Sequence, residues 1–262
     1  MTTSAVLSVI LGLSTAVVAG LVGSFALMKR MTLAGDVVSH FTLPGLGIAF
    51  LWGLNPLVGA AATLAIGILM IDQLQRRSGL ATETAIGVVF VGALAVGTLL
   101  TPTEDLIDAL FGGFREIKPA GFALGIVACA VVLLTIFALR HRLILIIFSP
   151  DLAAATKINV ARVNFIYLCL FGVTILLGLR FLGALLVGAM IIVPAAIGRR
   201  FATSLDGFLI ASSLASVVAV AAGFVVASHW HLSLGPTIVG VASAMFGASL
   251  VKPVRSRVTD GL

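Results

Sequence analysis

Charge is scarce in this sequence. Only 10% of its 262 residues are Asp, Glu, Lys or Arg, against about 25% in an average soluble domain. With 60% hydrophobic residues and a mean hydropathy of +1.23, the chain cannot wrap an apolar core in a polar shell. Most side chains must therefore face lipid or other helices. No polar stretch is long enough to form a core of its own, so residues 1–262 read as a single membrane domain. Cysteine is nearly missing too: Cys129 and Cys169 both fall inside apolar runs, as core residues rather than a disulfide or a metal pair. The sequence also lacks a Gly-x-x-x-x-Gly-Lys-Ser/Thr phosphate loop, a His-Glu-x-x-His zinc signature and a Gly-x-Ser-x-Gly elbow. Those absences exclude ATP hydrolysis of the usual kind, intramembrane metalloprotease chemistry and a serine-hydrolase site, and the chain reads as no enzyme. The opening Met-Thr-Thr-Ser-Ala has no positive leader, and the apolar run behind it is long enough to span, so it is read as a retained helix.

What is present is a series of apolar stretches near bilayer length: roughly 5–27, 34–53, 56–73, 83–100, 120–139, 163–179, 181–198, 207–228 and 235–251. They predict an all-α, polytopic transmembrane bundle of eight to nine segments, with 163–198 readable as one bent helix plus another. The breaks carry turn residues or charge, at Asn55-Pro56, Arg76-Arg77-Ser78-Gly79, Thr101-Pro102, Arg140-His141-Arg142, Ser149-Pro150, Arg199-Arg200 and Gly235-Pro236. The net charge is +6, but the basic residues sit in pairs between apolar runs, which suits membrane anchoring and not nucleic acid. With the N-terminus outside and nine crossings, 13 of the 16 basic residues fall on the cytoplasmic side. Arg115, Lys118 and Arg180 fall outside. That bias predicts a multi-pass membrane protein with its N-terminus outside and its C-terminus cytoplasmic.

Ionisable residues inside spans are costly and mark function. Asp36 and His40 stand four residues apart in Gly35-Asp36-Val37-Val38-Ser39-His40. On a helix that spacing stacks a carboxylate and an imidazole on one face, a half-site for a divalent cation. A hydrogen-bonded pair that braces the bundle or relays a proton is the alternative. Pro44-Gly45 follows, and a proline there frees carbonyls and bends the helix. Glu83 opens the fourth segment, as a pathway carboxylate or as an acid in a helix first turn. His229 and His231 flank Trp230 at the predicted outer surface, as loop histidines or metal collectors. The connection Thr103 to Pro119 carries Glu104, Asp105, Asp108 and Glu116 on the outside. On the inside, residues 149–160 open with Ser149-Pro150-Asp151 and read as a short capped helix along the membrane face.

The run Lys29-Arg30-Met31-Thr32-Leu33-Ala34-Gly35-Asp36-Val37-Val38-Ser39-His40, with Leu43-Pro44-Gly45 after it, resembles the signature of the ABC-3 permeases of zinc, manganese and iron ABC transporters. The 83–97 segment, the 148–158 linker and Gly183-Ala184-Leu185-Leu186-Val187-Gly188 leading to Pro194 are similar to the same family in the same order. The resemblance implies a type II-like permease for zinc or manganese, or iron, with the metal as cargo and no permanently bound cofactor. It implies as partners two cytoplasmic ATPase subunits, an extracytoplasmic metal-binding protein and a second permease copy or paralogue. Asp36 and His40 would touch the metal, and 149–160 would be the coupling helix. Phe41 stands where the family has a small residue, and is expected to narrow or gate the path. Rival readings are a proton-coupled secondary transporter and a permease for an iron chelate.

Overall fold

The computed structural model describes residues 3–31, 34–100 and 119–251, and all the regular structure in them is helical. The helices are α1 (Thr3–Met28), α2 (Ala34–Ser39), α3 (Thr42–Leu51), α4 (Pro56–Ser78) and α5 (Thr82–Leu100). After them come α6 (Pro119–Phe148), α7 (Pro150–Ala155), α8 (Val160–Phe201), α9 (Leu205–Trp230) and α10 (Leu234–Leu250). The outer connection with Glu104, Asp105, Asp108, Arg115, Glu116 and Lys118 lies outside the described residues, as do Lys252, Arg255 and Arg257.

Local chemistry sets several helix ends. The Asn55 side chain accepts from the Leu57 N–H at 3.0 Å, and Pro56 occupies the first helical position of α4. Gly79 ends that helix in the left-handed region, at φ 66°. Asn159 caps α8 and Ser204 caps α9 in the same way as Asn55. The predicted break at Arg140-His141-Arg142 does not occur. α6 runs straight through it to Phe148, because charge alone does not stop a helix; Pro150 does, two residues on. The expected 149–160 helix is shorter, the six residues of α7 followed by a turn at Lys157 with φ 57°.

α8 has 42 residues. As one rod it would reach about 63 Å, twice a bilayer core of about 30 Å. Gly183, at φ 73° and ψ 173°, breaks it. The break folds Val187 back against Gly178, so tightly that a Cβ at Gly178 would overlap the valine side chain. In an unbroken helix those residues would stand about 13 Å apart along the axis. The two limbs of α8 therefore answer to the two segments expected at 163–179 and 181–198. The first limb starts beside the end of α1, where Tyr167 donates to the Val22 carbonyl at 3.0 Å. The second limb returns toward that side, and Arg200 Nε donates to the Ser249 carbonyl at the end of α10, at 3.2 Å.

Among the described residues, seven segments are long and apolar enough to cross a bilayer, with Ala34–Leu51 counted as one. The second limb of α8 and the 17-residue α10 are the shorter remainder of the expected set. Fully buried Val22, Phe25, Tyr167, Phe171 and Ile191 place the core between α1 and the limbs of α8. Apolar side chains on α4, α5 and α6 point outward, among them Val58, Val91 and Leu124, and lipid is the solvent that makes this stable.

Candidate functional site

The predicted span 34–53 is broken in the middle, at the residues singled out from sequence. α2 ends at Ser39, His40 and Phe41 form a turn, and α3 starts at Thr42. The cause is Pro44, which has no N–H to offer the His40 carbonyl four residues back. That carbonyl accepts from the Leu43 N–H instead, at 3.1 Å, and Thr42 Oγ1 donates to the Ser39 carbonyl at 2.6 Å. The freed backbone groups are thus satisfied locally, as a membrane interior requires.

Helical geometry survives long enough to keep Asp36 and His40 on one face, with Oδ1 and Nε2 4.0 Å apart. That separation exceeds hydrogen-bonding distance, so the two groups face each other without bonding. Two ligand bonds of about 2.1 Å at a tetrahedral angle hold their donor atoms about 3.4 Å apart. A shift of a few tenths of an ångström would bring both atoms onto one cation. The Asp36 side chain is 51% exposed and that of His40 only 13%, so the pair opens on the carboxylate side. The His40 ring leans on Phe90 of α5, with centroids 5.6 Å apart, and its Nδ1 is buried with no hydrogen-bond partner among the described residues. Ser39 is fully buried and donates to the Asp36 carbonyl at 2.5 Å, turned away from the open side.

Behind the pair lies a contact that sequence reasoning passed over. Gly188, in the second limb of α8, packs on the backbone of Gly35 and Asp36; a Cβ on it would lie 2.4 Å from the Asp36 nitrogen. The sequence signal was there, in the glycines of the 183–188 stretch, but only the fold shows what they meet. Phe41 corrects another expectation. It is 1% exposed, with its ring on Gly67 of α4, so it fills the core and faces no opening. One position past His40 on a helix is about a quarter-turn away, enough to point inward.

Glu83 is exposed in the first turn of α5, seven residues before Phe90 and so about 10 Å along the axis from it. Among the described residues no three His, Cys, Asp or Glu side chains gather closely enough to hold an ion, so Glu83 is not grouped with the pair. His229 and His231 are exposed at the end of α9, the former edge-on to Trp230 at 4.9 Å. His141 is exposed beside Arg140. Asp72, inside the expected 56–73 span, was missed from sequence. Arg76 one turn later binds it at 2.8 Å, which is the i,i+4 signal that would have found it.

Comparison with known proteins follows the same direction. A profile described as the ABC 3 transport family matches residues 1–252. The manganese import system permease protein ScaB of Streptococcus parasanguinis is 30% identical over 243 residues, 91% of this chain and 86% of the relative. The high-affinity zinc uptake system membrane protein ZnuB of Buchnera aphidicola is 26% identical over 249 residues, 93% and 95% of the two chains. Among solved structures, PsaBC from Streptococcus pneumoniae in complex with Fab superposes with a TM-score of 0.82 at 27% identity. That match covers 95% of this chain and 92% of the other.

Proposed function

This chain belongs to the ABC 3 transport family, and from that premise we propose that Asp36 and His40 are the ligands that pass a divalent metal cation through the membrane. The protein is an integral membrane permease subunit of an ATP-binding-cassette importer for divalent transition metals, zinc or manganese, or iron. The observation that carries the site is the facing, unbonded pair of Asp36 Oδ1 and His40 Nε2 at 4.0 Å. A carboxylate and an imidazole together suit any of these metals, so geometry and supply decide among them. Two ligands hold an ion modestly, which suits a path that must release its cargo.

In this reading the chain enters from outside, which puts Lys29, Arg76, Arg77, Lys157, Arg199 and Arg200 at the cytoplasmic ends of their helices. An extracytoplasmic binding protein delivers the metal between two permease copies. Separate ATPase subunits rock the bundle through α7, and the ion leaves as the Asp36–His40 pair changes aspect. The proton-relay alternative would move metal in vesicles that hold the permease without ATPase subunits, and an importer driven by ATP would not.

Elemental analysis of cells tests the assignment. It compares intact protein, a deletion, Asp36→Ala and His40→Ala, each checked for membrane abundance. Both substitutions are expected to match the deletion for one metal, which names the cargo. If both accumulate metal like the intact protein, the pair is structural.

A further inference from the structure

Lys29 sits just past the end of α1, partly buried, and among the described residues it forms no ion pair. Its ammonium donates to Asn164 Oδ1 at 2.5 Å and lies 5.1 Å above the Tyr167 ring. Burial pulls the amine down from 10.5 to about 8, so the protein bears a cost for keeping a charge here. An apolar side chain would fill the same space without that cost. What the amine supplies is one fixed placement of α1 against α8, through a charged hydrogen bond and a cation–π contact.

Both sides of that joint lead somewhere. On the Lys29 side, the Met31 N–H donates to the Ala26 carbonyl at 2.9 Å, and the Ala34 N–H donates to the Met31 carbonyl at 3.2 Å. α2 follows from there, with Asp36 seven residues beyond Lys29. On the other side, Asn164 lies in the second turn of α8, just past the Asn159 cap and the turn that follows α7. Ala153 of α7 is fully buried, so the short helix is seated in the bundle and not loose on its surface. Tyr167 completes the joint: it is fully buried and donates to the Val22 carbonyl of α1.

We propose that Lys29 is a positioning residue that carries the movement of α7 to the Asp36–His40 pair, by way of Asn164 and Tyr167. The proposal rests on the reading of α7 as the coupling helix. Its test uses the whole transporter, permease with its ATPase subunits, in proteoliposomes. Uptake of Mn²⁺ and of Zn²⁺ is measured per ATP hydrolysed for the intact protein, Lys29→Met, Lys29→Arg and Asn164→Ala. Lys29→Met and Asn164→Ala are expected to lower metal moved per ATP roughly tenfold, within the range by which coupled sites act on one another, while ATP hydrolysis continues. Lys29→Arg keeps the charge and the donors and is expected to recover most of the ratio. A merely structural role would lower assembly, hydrolysis and uptake together, and an unchanged ratio overturns the proposal. If Lys29→Met does not assemble, Asn164→Ala decides alone, because it removes the acceptor and adds no bulk. Uptake by the intact protein that needs no ATP would instead sink the coupling-helix reading, and the proposal with it.

Discussion

Replacing Gly188 by alanine adds a single methyl group, and the structure says where it goes. The new carbon would lie 2.4 Å from the Asp36 nitrogen and 2.6 Å from its Cα. Comfortable carbon contacts begin near 3.5 Å, so α2 or the second limb of α8 must give by about 1 Å. Overpacking of this kind costs about 1–3 kcal/mol. The larger effect falls on the pair, because the displaced atoms are the backbone of one ligand. A misplacement of about 1 Å in a site that depends on geometry can cost on the order of a hundredfold in rate. Initial uptake of Mn²⁺ and Zn²⁺ at low concentration should therefore collapse, and thermal stability in detergent should fall only modestly. Gly240→Ala is the control, since nothing lies within 4 Å of the added carbon there and alanine is the better helix former. If Gly188→Ala takes up metal like the intact protein while remaining as stable, the close approach does not position Asp36, and the reasoning fails.

Further outcomes follow from other residues. Imidazole ligates only when neutral, so uptake should decline on acidification from pH 7.5 to 5; a flat profile counts against His40 as a ligand. Gly183→Ala forces a side chain onto φ 73° and ψ 173°, a backbone that essentially only glycine adopts, and should destabilise by about 1–3 kcal/mol, read as a lower melting temperature. Arg30 also has a positive φ, 60°, so Arg30→Gly should raise the melting temperature and Arg30→Val lower it. The Lys29 amine titrates lower in the folded protein, about 8, than its ordinary 10.5, so losing the proton favours the fold. Its contribution to stability should rise as pH climbs from about 8 toward 10.5, and that slope should vanish in Lys29→Met.

Much of this was legible in one dimension. Apolar length located the segments, and Asn55-Pro56 and Gly79 announced helix ends through chemistry that acts within four residues. The pair could be read for the same reason, since i,i+4 spacing decides who faces whom before any tertiary contact forms. Arg140-His141-Arg142 misled because charge marks the membrane boundary, while helices end at proline or glycine, and α6 simply continues past the boundary. Phe41 misled because comparison with a family says which residue is unusual, not which way it points. The contact of Gly188 with Asp36 joins residues 152 positions apart, and no local pattern encodes such a meeting.

The fold-back at Gly183 also bears on how the protein enters the bilayer. Between Arg162 and Arg199 the chain holds a single charge, Arg180, and no polar loop that could be handed across the membrane as a separate step. Whatever machinery threads this chain receives the two limbs of α8 as one apolar length. The first limb, Val160–Leu179, is long and apolar enough to span alone, yet its Gly178 meets Val187 only once the second limb has been made. The hairpin is complete only when both limbs are in the membrane, and α9 and α10 follow from its returning end.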